Sequence, residues 1–242
     1  MEIVGEIPYQ AFALISVVIF ACVHLWAEKT RALSYVSHSR FLSTGSGVAI
    51  AYVFIDLLPK LSKSDIIVKN AIGTVFPYFE RHVYVMALLG FLLFFSIDQT
   101  SLSWRKHPLF FWLSLGSYAL FNFFVGYAVA DKENPEVQPL VLFTFAMSLH
   151  YFLNDYSLSE ALGDGYRQLG KWILIACLFF GWLTGIWFEL SQTGVALVSA
   201  FIGGGVIMNV TRHELSYENP HSLGAFLFAS VAYTIILLTL GT

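Results

Sequence analysis

The stretch Phe145-Ala-Met147-Ser-Leu-His150-Tyr-Phe-Leu-Asn154-Asp155 holds an imidazole and an amide four positions apart. On a helix that interval puts His150 and Asn154 on one face, with Met147 one turn before His150 and Ser157 after Asn154. Imidazole nitrogen, amide oxygen and thioether sulfur on one stripe are donors that a transition metal accepts. The competing reading is packing, because His and Asn also supply hydrogen bonds between membrane helices. Asn122, in Tyr118-Ala-Leu-Phe121-Asn122-Phe-Phe-Val125-Gly126, poses the same choice, and Gly126 permits close helix approach one turn on. Asp56 and Glu214 stand toward the ends of apolar runs, where a carboxylate reaches the interface and solvates. Arg212, His213 and Glu214 read as a self-paired surface group. His24 and Glu28, one turn apart, are expected to pair with each other. His38, His82, His107 and His221 carry no spacing signal.

What must position these groups is a membrane bundle. Of 242 residues, 57% are hydrophobic and 12% charged, and the mean hydropathy is +0.69. Soluble domains run at about 45–50% apolar and about 25% charged. With 17% aromatic residues and a net charge of −3, the chain is neither disordered nor a nucleic-acid binder. Charge-poor runs predict eight transmembrane helices in one domain (1–242), at about 7–27, 41–58, 83–104, 108–130, 137–158, 172–188, 190–211 and 220–242. The only two cysteines, Cys22 and Cys177, lie inside apolar runs and suggest no disulfide framework. Glu2 and Glu6 before the first run argue against a cleaved signal and for a retained anchor.

Counting Lys and Arg in the intervening loops favours both termini outside. The inner loops then hold Lys29, Arg31, Arg40, Arg105, Lys106, Arg167, Lys171 and Arg212, against Lys60, Lys63, Lys69, Arg81 and Lys132 outside. The expected location is a plasma or inner membrane. An internal likeness adds to this. Gly45-Ser-Gly47-Val48 is followed at a fixed interval by Asp56-Leu57, and Gly203-Gly-Gly205-Val206 by Glu214-Leu215 at the same interval. The two runs cross the membrane in opposite directions, which is the signature of an inverted repeat.

These stretches resemble the ZIP (Zrt-, Irt-like) family of divalent-metal transporters. Gly45 through Asp56-Leu-Leu-Pro59 is similar to the family's second helix. Leu120-Phe121-Asn122-Phe123-Phe124-Val125-Gly126 lies over the fourth-helix motif L-H-N-[FI]-x-[DE]-G. Leu149-His150-Tyr151-Phe152-Leu153-Asn154-Asp155 lies over the fifth-helix L-H-E-[IF]-P-E-G, and Ala200–Gly204 through Glu214-Leu215 resembles the seventh helix. The resemblance implies an all-α fold of eight helices in a three-two-three arrangement, with inverted outer triplets and both termini outside. It also implies a divalent ion (zinc, iron or manganese) held by Asn122, His150 and Asn154, with Asp56 and Glu214 as pathway carboxylates.

The departures fall on the metal site itself. Phe121 stands for the family's fourth-helix His and Val125 for its acid. Tyr151 and Asn154 replace the two fifth-helix acids, and the sixth-helix acid falls near Thr184. The inner loop between the third and fourth helices is short and lacks the family's histidine run. Two divalent ions need several carboxylates nearby, and the matching positions have none, so at most one ion is expected. Asp155 is five residues from His150 and points about 140° away around the helix. Two functions follow: a one-ion permease, or a ZIP-fold protein that has lost transport and serves in binding, sensing or assembly. In the second, Phe121 and Val125 fill the emptied site. No enzymatic nucleophile and no mid-span lysine for a Schiff base stand out. Gly203–Gly205 is compatible with a homodimer. The expected surroundings are the lipid bilayer and a metal-ion substrate, with no nucleic acid.

Overall fold

The computed structural model describes residues 9–27, 35–72, 81–100, 107–130, 136–188, 190–215 and 222–240, with the side chains of 35–38, 67, 70–72 and 213–215 outside that description. The fold is all-helical. Its elements are α1 (Tyr9–Trp26), α2 (Tyr35–Tyr52), α3 (Leu58–Ile72), α4 (His82–Asp98), α5 (Pro108–Val129), α6 (Val137–Gly165), α7 (Lys171–Trp187), α8 (Gln192–Leu215) and α9 (Leu223–Leu240). Among the described residues, six helical stretches are long and apolar enough to cross a membrane, and α4 is a shorter apolar helix. Large apolar side chains such as Phe228, Trp187 and Phe180 point outward, which suits lipid contact.

Several boundaries differ from those expected. The second run does not stop at 58: a π-helical turn, Val53–Leu57, joins α2 to α3 without a break. Pro59 explains the turn, since its ring would strike the carbonyl one turn back in a regular helix, and the wider π turn gives it room. The third helix ends at Asp98; its expected extension toward 104 falls largely outside the described residues. The eighth expected run, 220–242, is helical over Leu223–Leu240, and residues 220, 221, 241 and 242 lie outside the description. The start of α5 is capped by His107, whose Nδ1 accepts from the Leu109 N–H at 3.1 Å, with Pro108 in the first helical turn.

Residues 137–187 form one unbroken helical stretch in sequence, yet they fold back on themselves. Gly163 has φ +56°, a left-handed conformation that glycine adopts without a Cβ clash. Tyr166 turns back to hydrogen-bond Asp155, eleven residues earlier, which a straight helix forbids because that interval rises about 16 Å. Contact pairs give the directions. Tyr9 bonds Val129 and His24 bonds Asn122, so α1 runs against α5. Ser16 meets Thr144 and His24 meets Asp155, so α6 runs with α1. Gly181 faces Phe123 and Gly185 faces Tyr127, so α7 runs with α5 and against α6.

Glycine sets the tightest of these approaches. A methyl group at Gly181 would run into the Phe123 carbonyl, one at Gly126 into that of Leu178, and one at Gly204 into that of Ala87. Small residues let membrane helices bring their backbones together, where dispersion replaces the hydrophobic drive that lipid does not supply. The packing falls into two groups. One holds α1, α5, α6 and α7 and the other α2, α4, α8 and α9; the most extensive pairings are α5 with α7, α4 with α8 and α2 with α9, and α6 lies against α2 as extensively as against α1. The groups meet mainly where α2 lies on α6 and α8 on α5.

Gly181→Ala and Gly204→Ala are each expected to cost about 1–3 kcal/mol through overpacking. Gly116, with open space where a methyl group would sit, is the control: Gly116→Ala should gain up to about 1 kcal/mol from helix propensity. Thermal unfolding of the detergent-solubilised variants measures both.

Candidate functional site

The first group of helices encloses a connected polar cluster in an otherwise apolar interior. His24 follows Ala13, Val17 and Phe20 down one stripe of α1, at helical intervals, and all four are buried. Its Nδ1 lies 2.9 Å from both carboxylate oxygens of Asp155 on α6. Its Nε2 lies 2.8 Å from Asn122 Oδ1 on α5. The Asn122 Nδ2 donates to the Tyr118 carbonyl at 2.9 Å, and a carbonyl only accepts. The amide is therefore oriented with Oδ1 toward His24, and Nε2 carries a proton. Tyr166, at the start of the π turn after the hairpin, donates its hydroxyl to Asp155. Four consecutive or neighbouring elements thus converge on one imidazole–carboxylate pair, and both side chains have 0% exposure.

The chain of contacts continues toward the second group. Tyr118 donates its hydroxyl to Asn209 Oδ1 on α8 at 3.1 Å, while Asn209 Nδ2 is buried without a partner. Further along α8, Arg212 pairs with Asp98 of α4 at 2.9 Å.

Asn122 is therefore at the centre of the site, but both ends of its amide are engaged. His150 and Asn154 do share a face: Asn154 Nδ2 lies 3.1 Å from His150 Nε2. Their remaining atoms, His150 Nδ1 and Asn154 Oδ1, are buried without partners. Phe121 packs beside this pair, its ring 5.7 Å from His150 and 6.3 Å from Tyr151. Phe121 and Val125 are fully buried and occupy interior volume beside these polar residues. Of the expected trio, Asn122 thus bonds His24 and the Tyr118 carbonyl, while His150 and Asn154 bond each other. Asp56 is apart from the cluster, paired with Lys60 one turn on at 2.9 Å. Glu214 belongs to α8 by its backbone, and its side chain lies outside the described residues. Thr184 bonds back to the Phe180 carbonyl, as threonine does within a helix.

Two expectations fall on residues outside the description. Glu28, the expected partner of His24, lies there, and His24 is buried against Asp155 and Asn122. The side chains of His213 and Glu214 lie there too, and Arg212 is held by Asp98. Asp155 points away from His150, as its position on the helix required, and that direction carries it to His24. The sequence reading missed Tyr166 and Asn209, and it noted His24 and Asp155 without joining them. The stripe Ala13, Val17, Phe20, His24 was the available signal for His24. Nothing local signalled Tyr166, because it depends on the fold-back at Gly163.

At one end of the bundle a cavity of about 610 Å³ opens, lined by residues that include Tyr9, Tyr52, Lys60, Lys63, Glu136 and Phe143. A file of rings runs inward from it. Phe143 meets Phe20 at 6.4 Å, Phe20 meets Tyr151 at 5.2 Å, and Tyr151 meets His24 at 4.7 Å. The Tyr151 hydroxyl is buried without a partner. Among the described residues, no three His, Cys, Asp or Glu side chains converge. No protein-family model and no curated protein matches the chain.

Removing one member of a buried ion pair leaves the other uncompensated, at about 3–5 kcal/mol, whereas replacing both with apolar groups is often neutral. Asp155→Leu and His24→Leu should each lower the unfolding midpoint in detergent, and the double variant should recover much of the loss. Additive losses would show that the pair is not coupled.

Proposed function

We propose that this chain is a ZIP-like integral membrane permease that carries one divalent cation of the zinc, iron or manganese class. The observation that carries the reading is the buried His24–Asp155 pair. An ionisable group at membrane depth costs at least about 2.5–3.5 kcal/mol on insertion scales, so such groups cluster on ion pathways and proton relays. Here the pair stands behind an aromatic file that leads from an open cavity, a layout suited to an ion that enters from one end and waits for a gate.

The helix partnerships support the three-two-three arrangement. Taking α1, α2 and α4 as the first triplet and α7, α8 and α9 as the last, an inverted repeat exchanges α1 with α7, α2 with α8, α4 with α9 and α5 with α6. Under that exchange the α2–α9 contact becomes α8–α4, α1–α6 becomes α7–α5, and α2–α6 becomes α8–α5. All six contacts are present. The glycine stretches of α2 and α8 also play like roles: Gly47 packs on the Phe226 backbone of α9 and Gly204 on that of Ala87 in α4. Inverted repeats of this kind let one part of a transporter move against another around a central site. The two packing groups are natural moving parts, with the His24 pair carried by one of them. The location that goes with this reading is a plasma or inner membrane, with both termini outside.

A second reading has its own observation. Phe121 and Val125 fill the place where the family's metal ligands belong, which suits a ZIP fold that has given up transport for binding, sensing or assembly. Reconstitution in liposomes with an entrapped metal-sensing dye separates the two. The permease reading predicts saturable entry of Zn²⁺, Fe²⁺ or Mn²⁺ above protein-free vesicles. Vesicles no leakier than empty ones, for all three ions, would favour the second reading.

A further inference from the structure

We infer that the open cavity is a cleft between the two packing groups that closes on an ion pair between Lys63 and Glu136, and so gates the way into the bundle. The inference rests on the permease reading and adds to it how the entrance is sealed.

The walls of the cavity come from different groups. One wall is made by α1, α5 and the start of α6, with Glu136 and Phe143 upon it. The other is made by the π turn, α3 and the first turns of α8, with Leu57, Lys63 and Val195. Helix α3 packs on α4 and α8, so it goes with the second group. Unlike charges therefore stand on opposite walls. Lys63 and Glu136 are both exposed, and among the described residues neither has a partner. Lys60, on the same wall as Lys63, is already engaged by Asp56 of its own stretch at 2.9 Å. The Lys63 ammonium rides on a flexible four-carbon stem, which lets it follow a carboxylate that approaches. Leu57, Val195 and Phe143 are partly exposed, and bringing the walls together removes that apolar surface from water. Phe143 is also the outermost ring of the file that leads to His24, so a closed cleft covers the way inward. The tie between Tyr118 and Asn209 is remote from the mouth, about 25 Å along α8 from Gln192, and holds the groups together there while this end closes. An exposed ion pair shifts an equilibrium by no more than about fivefold. That biases the cleft without locking it, which suits a gate that has to reopen.

The test uses the full-length protein in nanodiscs, with Cys22→Ala and Cys177→Ala as background and spin labels at Ile66→Cys and Gln138→Cys. Both label sites are exposed, one on α3 and the other on α6. Pulsed dipolar electron paramagnetic resonance reads the distance between them, and unfolding midpoints identify any variant that has not folded. Two distances are expected, the longer for the open cleft and the shorter for the closed one. Lys63→Gln and Glu136→Gln should each lower the ratio of short to long by up to about fivefold. Salt at about 1 M should do the same where both charges are intact. Lys63→Glu should lower the ratio further, and adding Glu136→Lys to it should restore it. A single distance with both charges intact, or a double reversal no better than Lys63→Glu alone, would overturn the gate. Zn²⁺ uptake by the same proteins in liposomes separates the two readings. Uptake with a single, unresponsive distance would overturn the gate and leave the permease reading standing. Two distances that obey the charge reversal, without uptake of Zn²⁺, Fe²⁺ or Mn²⁺, would overturn the permease reading and leave the closure standing.

Discussion

Everything in this structure depends on an imidazole and a carboxylate meeting in a place without water. A His–Asp contact at a surface is screened and contributes little. Deep in an apolar bundle the same two groups are expensive to bury and strongly attracted to each other, so their surroundings must hold them with few degrees of freedom. Asn122 fixes one side of the ring and Tyr166 fixes the carboxylate. Each of these constraints comes from a different element: α1, α5, α6 and the turn beyond the Gly163 fold-back.

That arrangement concentrates the chemistry in one group of helices. The cluster, the aromatic file leading to it and the His150–Asn154 stripe all belong to α1, α5, α6 and the π turn that leads into α7. The other group carries the Arg212–Asp98 pair and offers Asn209 to Tyr118. Contacts between the groups include apolar ones and polar ties such as the Tyr118–Asn209 bond and that from the Tyr233 hydroxyl to the Leu142 carbonyl, 2.7 Å. Apolar contacts are non-directional and can be remade after a shift in position.

The fold was largely legible in the sequence, because lipid restricts a chain to helices that satisfy their own backbones and charge-poor runs mark them. The runs near 108–130 and 172–188 match their helices within a residue or two. The continuation from α2 into α3 was hidden, since Pro59 reads as a helix end unless a π turn makes room for it. The site was less legible. Asn122 and His150 stand out because they are polar and lie mid-run, and both are buried in the interior. Helical spacing says which residues share a face on one helix, but it is silent about which face meets which neighbour. His24 and Asp155 are 131 residues apart, and only the packing of α1 along α6 joins them. Asp155 faces away from His150, which spacing alone counts against a role, yet that orientation is what brings it to His24.

The most direct measurement of the account is the metal stoichiometry of the purified, unaltered protein, by equilibrium dialysis against Zn²⁺ and Mn²⁺ followed by elemental analysis. One tightly held equivalent per chain is the predicted result. No retained ion for either metal, at concentrations that fill nonspecific sites on empty detergent micelles, would contradict the account and leave the His24–Asp155 pair as an internal fastening of the bundle.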